Sequence, residues 1–271
     1  MATARDWTFT GAQGEITARQ WPNDAPRYVA LLAHGYGEHI GRYEHVADTL
    51  VRHGAAVYGP DHMGHGRSAG ERVLIADFEE VVTDLHTVEE RARADHPDVP
   101  VVLIGHSMGG LIAARHAQRY GTGLAALTLS GPVLGRWDAL DLLLGLDEIP
   151  EIPIDPATLS RDPQVGVDYA ADPLVWHGAF KRTTVAAMSH CVDVINAGGR
   201  LGALPTLWVH GADDELVPLP GSRAGIEAIR GDDLTERIYP EARHEVFNET
   251  NRGEVLGEVT AFIDGVIGPS A

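Results

Sequence analysis

The segment VVLIGHSMGG, residues 101–110, decides the fold of this chain. A run of apolar, mostly β-branched residues predicts a buried strand, and it leads directly into a helical pattern. Between the two, Gly105, Ser107 and Gly109 form the pattern G-x-S-x-G. The glycines allow a sharp, strained turn that places the serine hydroxyl above the sheet, at the start of the next helix. This context predicts that Ser107 is a nucleophile; the alternative is a serine that merely caps the helix.

The remaining chain alternates buried-strand patterns with helical patterns. Strand patterns lie at 27–35, at the start of 55–64, and at 99–105, 124–131, 204–211 and 235–242, with helical patterns near 43–53, 77–95, 109–120, 219–230 and 252–267. Nearly continuous apolar strands that alternate with helices indicate an α/β fold, in which a mostly parallel sheet is flanked by helices. The segments DWTFTG and GEITARQW near the start predict an antiparallel hairpin at the sheet edge.

One segment breaks this alternation. Residues 134–190 contain repeated prolines and no strand pattern, although their apolar content argues against a disordered loop. We therefore predict a small helical cap, or lid, inserted into a core formed by residues 1–133 and 191–271. Its apolar wall includes Leu142, Leu143 and Leu144, which are candidates for contact with substrate.

A nucleophilic serine that attacks a carbonyl needs donors for the negative charge that develops on the carbonyl oxygen. In a turn of this kind the backbone N–H of the residue after the serine is one donor, which here is Met108. The second donor comes from the loop after an earlier strand. Gly35 and Gly37 let the backbone of that loop approach substrate, so we assign the N–H of Tyr36 as the second donor.

The serine also needs a base and an acid that orients the base. In this class of site the chain order is serine, then acid, then histidine, with the acid after a late strand. The segment YPEARHEVFNE offers His244 as the base, and LWVHGADDELVP offers three adjacent acids: Asp213, Asp214 and Glu215. From position alone any of the three could orient the imidazole.

Composition excludes several other functions. The formal charge is -18, which argues against nucleic-acid binding and against strong adsorption to anionic membranes. The single cysteine, Cys191, rules out an intrachain disulfide and a thiolate zinc cluster.

We find no metal-ligand spacing of the H-E-x-x-H type, and we predict no metal and no cofactor. No signal peptide or transmembrane pattern is present, so we expect a soluble cytoplasmic protein, with membrane-peripheral contact as an alternative.

Longer motifs give the sequence a family likeness. HGYGEHIGRYEHVA (34–47), DHMGHGRSAGERV (61–73), GHSMGG (105–110), DYAADPLVWHG (168–178), HGADDELVP (210–218) and HEVFNE (244–249) together resemble the bacterial monoacylglycerol lipases of the α/β-hydrolase superfamily. The likeness covers almost the whole chain, including the lid. It implies an eight-stranded core, a small mobile lid, and hydrolysis of one fatty ester from glycerol without a cofactor.

Carried over by position, the resemblance implies Ser107, Asp214 and His244 as the catalytic triad, with Tyr36 and Met108 as the oxyanion donors. It selects Asp214 because the acid of the family lies in a G-x-x-D-x-x-V pattern. Two features depart from the family pattern. Tyr36 is larger than the residue expected there, which predicts a narrower site for the glycerol part of the substrate. The lid is also short.

Three functions remain open on the sequence alone. The first is a monoacylglycerol lipase acting on a lipid ester, with transient contact between its lid and micelles or membranes; ordinary packing of the lid on the core is the alternative to that contact. The second is an esterase, thioesterase or lysophospholipase of different preference, including one for monoalkyl phthalates. The third is a non-catalytic binding protein on the same fold.

Overall fold

A central twisted sheet organises the chain in a computed structural model that describes residues 3–135, 137–151 and 153–269. The strands are β1 (Arg5–Gly11), β2 (Gly14–Trp21), β3 (Tyr28–Ala33), β4 (Ala55–Pro60), β5 (Val101–His106), β6 (Ala126–Ser130), β7 (Thr206–Gly211) and β8 (Leu234–Tyr239). Their order across the sheet is β1-β2-β4-β3-β5-β6-β7-β8. The pairs β1–β2 and β2–β4 are antiparallel and every later pair is parallel, so the sheet is mostly parallel, as its apolar strands predict.

Helices cover both faces of this sheet. They are α1 (Glu44–Arg52), α2 (Phe78–Asp95), α3 (Met108–Tyr120), α4 (Asp138–Gly145), α5 (Pro163–Ala171), α6 (Arg182–Ala197), α7 (Leu219–Ile229) and α8 (Arg252–Ile267). One apolar core lies between the sheet and α2, α3, α6 and α7, and the other lies between the sheet and α1 and α8. Two cores of this kind require strands that are apolar on both sides, which explains why β3 to β7 are buried throughout.

The segment between β6 and β7 carries α4, a short 3-10 helix (Pro156–Thr158), α5 and α6. Its middle part lies on the loops at the sheet edge, where Trp176 N–H donates to the Gly37 carbonyl over 2.7 Å and Glu245 N–H donates to the Leu159 carbonyl over 2.8 Å. The long helix α6 instead packs on α3 beside the sheet. The predicted cap boundary at residue 190 therefore lies inside α6. The predicted domains also include residues 1, 2, 136, 152, 270 and 271, which are not among the residues that the structure describes.

The parallel strands bring their carboxyl ends to one edge of the sheet. The loops after β3, β5, β7 and β8 carry Tyr36, Ser107, Asp214 and His244 respectively, so strand topology alone collects the predicted functional residues. The strand order, the antiparallel second strand and the serine turn after β5 define the α/β-hydrolase fold. In the described residues we find no helix with the length and apolar character needed to cross a bilayer.

Candidate active site

Ser107 occupies a strained turn between β5 and α3. Its backbone has φ 56° and ψ -119°, a left-handed conformation that a residue with a side chain rarely adopts. The turn is held because Ser107 N–H donates to the Ser130 carbonyl at 2.9 Å, while the Ser107 carbonyl accepts from Gly110 N–H at 2.9 Å. The surrounding hydrogen bonds therefore compensate the strain and fix the position of the hydroxyl.

The two glycines of the turn are required by close packing. A Cβ atom on Gly105 would collide with the Gly109 carbonyl oxygen, and a Cβ atom on Gly109 would collide with the carbonyl oxygens of Ala33 and His34. Helix α3 consequently approaches the end of β3 with only hydrogen atoms between the backbones. This close approach brings the serine turn beside the loop after β3.

Asp214 and His244 come together through their loops. His244 Nδ1–H donates to Asp214 Oδ2 at 2.8 Å, and both side chains are almost fully buried. The other carboxylate oxygen, Oδ1, accepts from the backbone N–H groups of Leu216 and Val217 at 3.0 and 2.9 Å. The neighbouring acids at 213 and 215 are exposed to solvent. Of the three adjacent acids, only Asp214 faces the imidazole.

His210 is a further partner of this carboxylate. Trp208 Nε1–H donates to His210 Nδ1 over 3.3 Å, so the proton of a neutral His210 lies on Nε2. That nitrogen lies 2.9 Å from the Val217 carbonyl oxygen and 3.3 Å from Asp214 Oδ2. The sequence patterns do not mark His210 as a partner of the acid, and its position four residues before Asp214 is the signal that could have linked the two.

The electrostatics of the pair suit a base held by an acid. Burial raises the pKa of Asp214, but His244 and His210 outweigh burial and lower the pKa below its ordinary range. Burial likewise lowers the pKa of His244, and the Asp214 carboxylate outweighs it and raises the pKa above its usual value. Asp214 is therefore ionised at neutral pH, and His244 is a stronger base than a free imidazole.

Ser107 and His244 line the same cavity at the edge of the sheet. Because Nδ1 of His244 carries the proton that Asp214 accepts, Nε2 keeps its lone pair and can accept a proton from a nucleophile. No direct hydrogen bond joins these two described side chains. Contacts of this kind commonly tighten when substrate binds.

The loop after β3 lies beside the serine turn, because a Cβ atom on Gly35 would lie 3.2 Å from Ser107 Cβ. Gly35 N–H donates to Glu38 Oε1 at 2.6 Å, and Gly37 takes a positive φ of 76°, which bends the loop around Tyr36. Met108 is the first residue of α3, so its N–H has no intrahelical acceptor. Tyr36 and Met108 both line the cavity with Ser107. The Tyr36 ring stacks on Phe180 with centroids 4.5 Å apart.

A buried charged cluster braces this loop against the histidine loop. Arg42 donates to Glu38 Oε2 at 2.6 Å and to both carboxylate oxygens of Glu245 at 2.7 and 2.9 Å. Burial raises the pKa of Glu38, but Arg42, His106, His34 and the Tyr43 hydroxyl together outweigh burial and lower the pKa to about 2. Tyr43 O–H donates to Glu38 Oε1 at 2.7 Å. The guanidinium thus ties the residue after His244 to the loop that carries Tyr36.

Histidines near the site are held by hydrogen bonds. His34 Nε2 accepts from His62 N–H at 3.0 Å, and His34 Nδ1 and His65 Nδ1 lie 2.8 Å from the Gly35 and Met63 carbonyl oxygens. Burial lowers the pKa of His34 to about 4 and that of His65 to about 3, so both are neutral at pH 7. These contacts brace the loop after β3 against the segment that follows β4.

The cavity is lined by both apolar and polar side chains, with about 540 Å³ of empty space counted to its open mouth. The apolar wall includes Val133, Trp137, Ile154, Leu159, Met188, Leu216 and Val217. The polar lining includes His106 and the cluster in which Arg42 contacts Glu38 and Glu245. The lid leucines lie outside this lining: Leu142 is 67% exposed, and Leu143 and Leu144 pack against the core.

Fold and site together place this protein among the α/β-hydrolases. Residues 24–251 match the family model described as "Serine aminopeptidase, S33". The match covers most of the chain, and the chain therefore belongs to this family.

Individual relatives and a solved structure are similar to this chain over most of their length. The chain is 38% identical to the monoacylglycerol lipase of Mycolicibacterium smegmatis, over 97% of this chain and 98% of that protein. It is 31% identical to the monoglyceride lipase of Rattus norvegicus, over 94% of this chain and 89% of that protein. A thermostable carboxyl esterase from Bacillus coagulans, solved in complex with glycerol, superposes with a TM-score of 0.81 at 25% identity and covers 98% of this chain and 100% of its own.

Proposed function

We propose that this protein is a carboxylic ester hydrolase that cleaves monoacylglycerols to glycerol and a free fatty acid. The observation that carries the proposal is one cavity lined by Ser107 and His244 together with an apolar wall and the charged side chains of Glu38, Arg42 and Glu245. A monoacylglycerol has the same division: an acyl chain, a single ester and a diol. The named activities of the relatives from Mycolicibacterium smegmatis and Rattus norvegicus support this substrate class.

The proposed mechanism proceeds in two halves. Ser107 Oγ attacks the ester carbonyl while His244 Nε2 takes its proton, and Asp214 stabilises the imidazolium through Nδ1–H. The N–H groups of Tyr36 and Met108 stabilise the oxyanion. His244 returns the proton to the departing glycerol oxygen, which leaves an acyl-enzyme on Ser107. Water then attacks the acyl carbonyl while His244 Nε2 takes its proton. The proton passes to Ser107 Oγ as the bond between Oγ and the acyl carbon breaks, which releases the fatty acid.

The proposed orientation of substrate follows from the two kinds of side chain that line the cavity. The acyl chain lies along the apolar wall, where removal of each methylene group from water contributes about 0.8 kcal/mol. The glycerol hydroxyls face the charged cluster, whose buried donors and acceptors include Arg42 and Glu245. The Bacillus coagulans carboxyl esterase was solved in complex with glycerol, which supports glycerol as the product alcohol.

Residues 134–190 supply much of the apolar wall, and we infer that they act as the cap over the acyl chain. Trp137 and Leu159 from this segment line the cavity. Leu142 and Leu146 on or beside α4 are exposed, at 67% and 37%, and give the cap an apolar outer surface. We propose that this surface makes transient contact with micelles of neutral lipid, because the charge of -18 opposes adsorption to anionic bilayers.

A comparison of substrates tests the proposal. Initial rates are measured on mono-, di- and triacylglycerols of one chain length, a phthalate monoester, a lysophospholipid, an acyl thioester and an aminoacyl anilide. The anilide is included because the family description names an aminopeptidase. We expect the highest kcat/KM on the monoacylglycerol, and a preference for any of the other substrates by tenfold or more would overturn the assignment.

A further inference from the structure

A cluster of three metal-ligating side chains lies between α2 and α3, away from the cavity. His86 and Glu89 come from α2, and His116 comes from α3. His86 Nδ1 lies 3.1 Å and His116 Nε2 lies 3.0 Å from the same oxygen, Glu89 Oε2. The three ligand atoms all lie within 4.8 Å of one another. Two atoms bound to one zinc ion at about 2.0–2.2 Å lie roughly 3 to 3.5 Å apart, so the two distances to Glu89 Oε2 fit a shared ion.

The sequence supplies the geometry directly. His86 and Glu89 are three residues apart, which places both side chains on one face of α2. His116 is fully buried and faces them from α3. The predicted absence of a metal relied on the H-E-x-x-H spacing, and an H-x-x-E pair completed by a distant histidine does not match that pattern.

His116 lacks the alignment of an ordinary hydrogen bond. Although Nε2 is 3.0 Å from Glu89 Oε2, neither ring nitrogen makes a well-directed hydrogen bond to any described residue. A buried imidazole without such a partner is costly. When a histidine nitrogen and a carboxylate oxygen both face a common third point, they lie near each other without pointing at each other. A metal ion at that point satisfies both groups.

Neighbouring side chains hold the ligands in place. Arg93 donates twice to Glu89 Oε1, at 2.8 and 2.6 Å, which fixes the carboxylate and leaves Oε2 directed at the histidines. The His86 ring stacks on Tyr120 with centroids 3.7 Å apart.

The outer nitrogen of His86 faces solvent and Glu90. His86 Nε2 lies 4.0 Å from Glu90 Oε1, which is beyond hydrogen-bond distance. The side chain of His86 is 27% exposed, so an ion can reach the cluster from solvent. Arg93 reduces the local negative charge, and this predicts weaker binding than in a closed structural zinc site.

We propose that His86, Glu89 and His116 form a divalent-metal site of the zinc class that links α2 to α3. Two imidazole nitrogens and one carboxylate oxygen suit Zn²⁺, and Co²⁺ or Ni²⁺ are accepted less tightly. Water fills the remaining coordination positions. The ion stabilises the packing of the two helices and takes no part in ester hydrolysis.

The test uses full-length protein freed of metal with a chelator and titrated with ZnCl₂. Calorimetry is expected to give one Zn²⁺ per chain, and the melting temperature is expected to rise by about 3 °C or more at saturating Zn²⁺. His86→Ala, at a partly exposed position, is expected to weaken binding about tenfold or more and to abolish the shift. His190→Ala removes an exposed histidine on α6 and is the matched control, which should bind as the wild type does.

Co²⁺ titration supplies a second readout. A ligand-field absorption band that appears with the wild type and is absent in both His86→Ala and His116→Gln supports the assignment, whether or not the buried variant is less stable. Equal Zn²⁺ affinity in the wild type and His86→Ala overturns it. So does an unchanged melting temperature at millimolar Zn²⁺.

Discussion

Replacement of Asp214 by asparagine tests the assignment of the acid most sharply, because it preserves size and removes the charge. Asp214 Oδ2 accepts the proton on His244 Nδ1. An amide NH₂ in that place favours the tautomer with the proton on Nε2, which cannot accept a proton from Ser107. Loss of the correct tautomer costs about 10³–10⁴ in kcat in serine hydrolases with this arrangement, which equals about 4–5 kcal/mol of transition-state stabilisation.

The pH profile gives an independent readout of the same change. Although burial lowers the pKa of His244, the Asp214 carboxylate raises it above the ordinary value. Because hydrolysis needs the neutral imidazole, kcat/KM increases as pH rises through that pKa. Without the carboxylate the pKa falls, so the acidic limb of the residual activity is expected to shift to lower pH.

The assay is steady-state hydrolysis of a monoacylglycerol between pH 5 and pH 9, with circular dichroism to check that the variant is folded. Asp213→Asn is the matched control, since its carboxylate is the exposed neighbour in the same loop. It should retain wild-type kcat within about twofold. A larger loss in Asp213→Asn than in Asp214→Asn would refute the reasoning.

Three other predictions concern the framework of the site. Gly109→Ala places a methyl group against backbone carbonyls and should lower the free energy of unfolding, measured by urea titration, by about 1–3 kcal/mol or more. Gly257→Ala is the control: it has open space around it on α8 and should raise the free energy of unfolding by about 0.5–1 kcal/mol. Arg42→Met leaves two carboxylates buried without their partner and should cost about 3–5 kcal/mol; a loss below 1 kcal/mol would contradict the proposed bracing. Burial lowers the pKa of His34 to about 4 and that of His65 to about 3. Each histidine should therefore remove about 1.4 kcal/mol from the free energy of unfolding per pH unit as pH falls from about 6.5 towards those values. A free energy of unfolding that stays constant between pH 6.5 and pH 4.5 would contradict the burial of these histidines in neutral form.

Features encoded by local patterns could be predicted from the sequence. Apolar runs bounded by glycine predicted β3 to β7, and the fold of the family is the one that these strands indicated. The turn at Ser107 was predictable because close approach of α3 to β3 requires glycine at 105 and 109. These features depend on a few adjacent residues, so periodicity and glycine placement carry them.

Contacts between distant segments could not be predicted in the same way. Arg42 meets Glu245 across 203 positions of sequence, and nothing in either local pattern marks them as partners. The same holds for His86 and His116, which adjacent helices bring together. The extent of the cap was difficult for a related reason: α6 continues without a break from the inserted segment to the sheet, where it packs on α3.

The central claim is that Ser107 is the nucleophile of an enzyme that acts on monoacylglycerols. The most direct measurement is mass spectrometric mapping of the adduct formed with a serine-reactive fluorophosphonate, with and without prior addition of a monoacylglycerol. We predict one adduct per chain on the peptide that contains Ser107, slower labelling when monoacylglycerol is present, and none in folded Ser107→Ala. An adduct on another serine, or labelling of Ser107→Ala at the wild-type rate, would contradict the account.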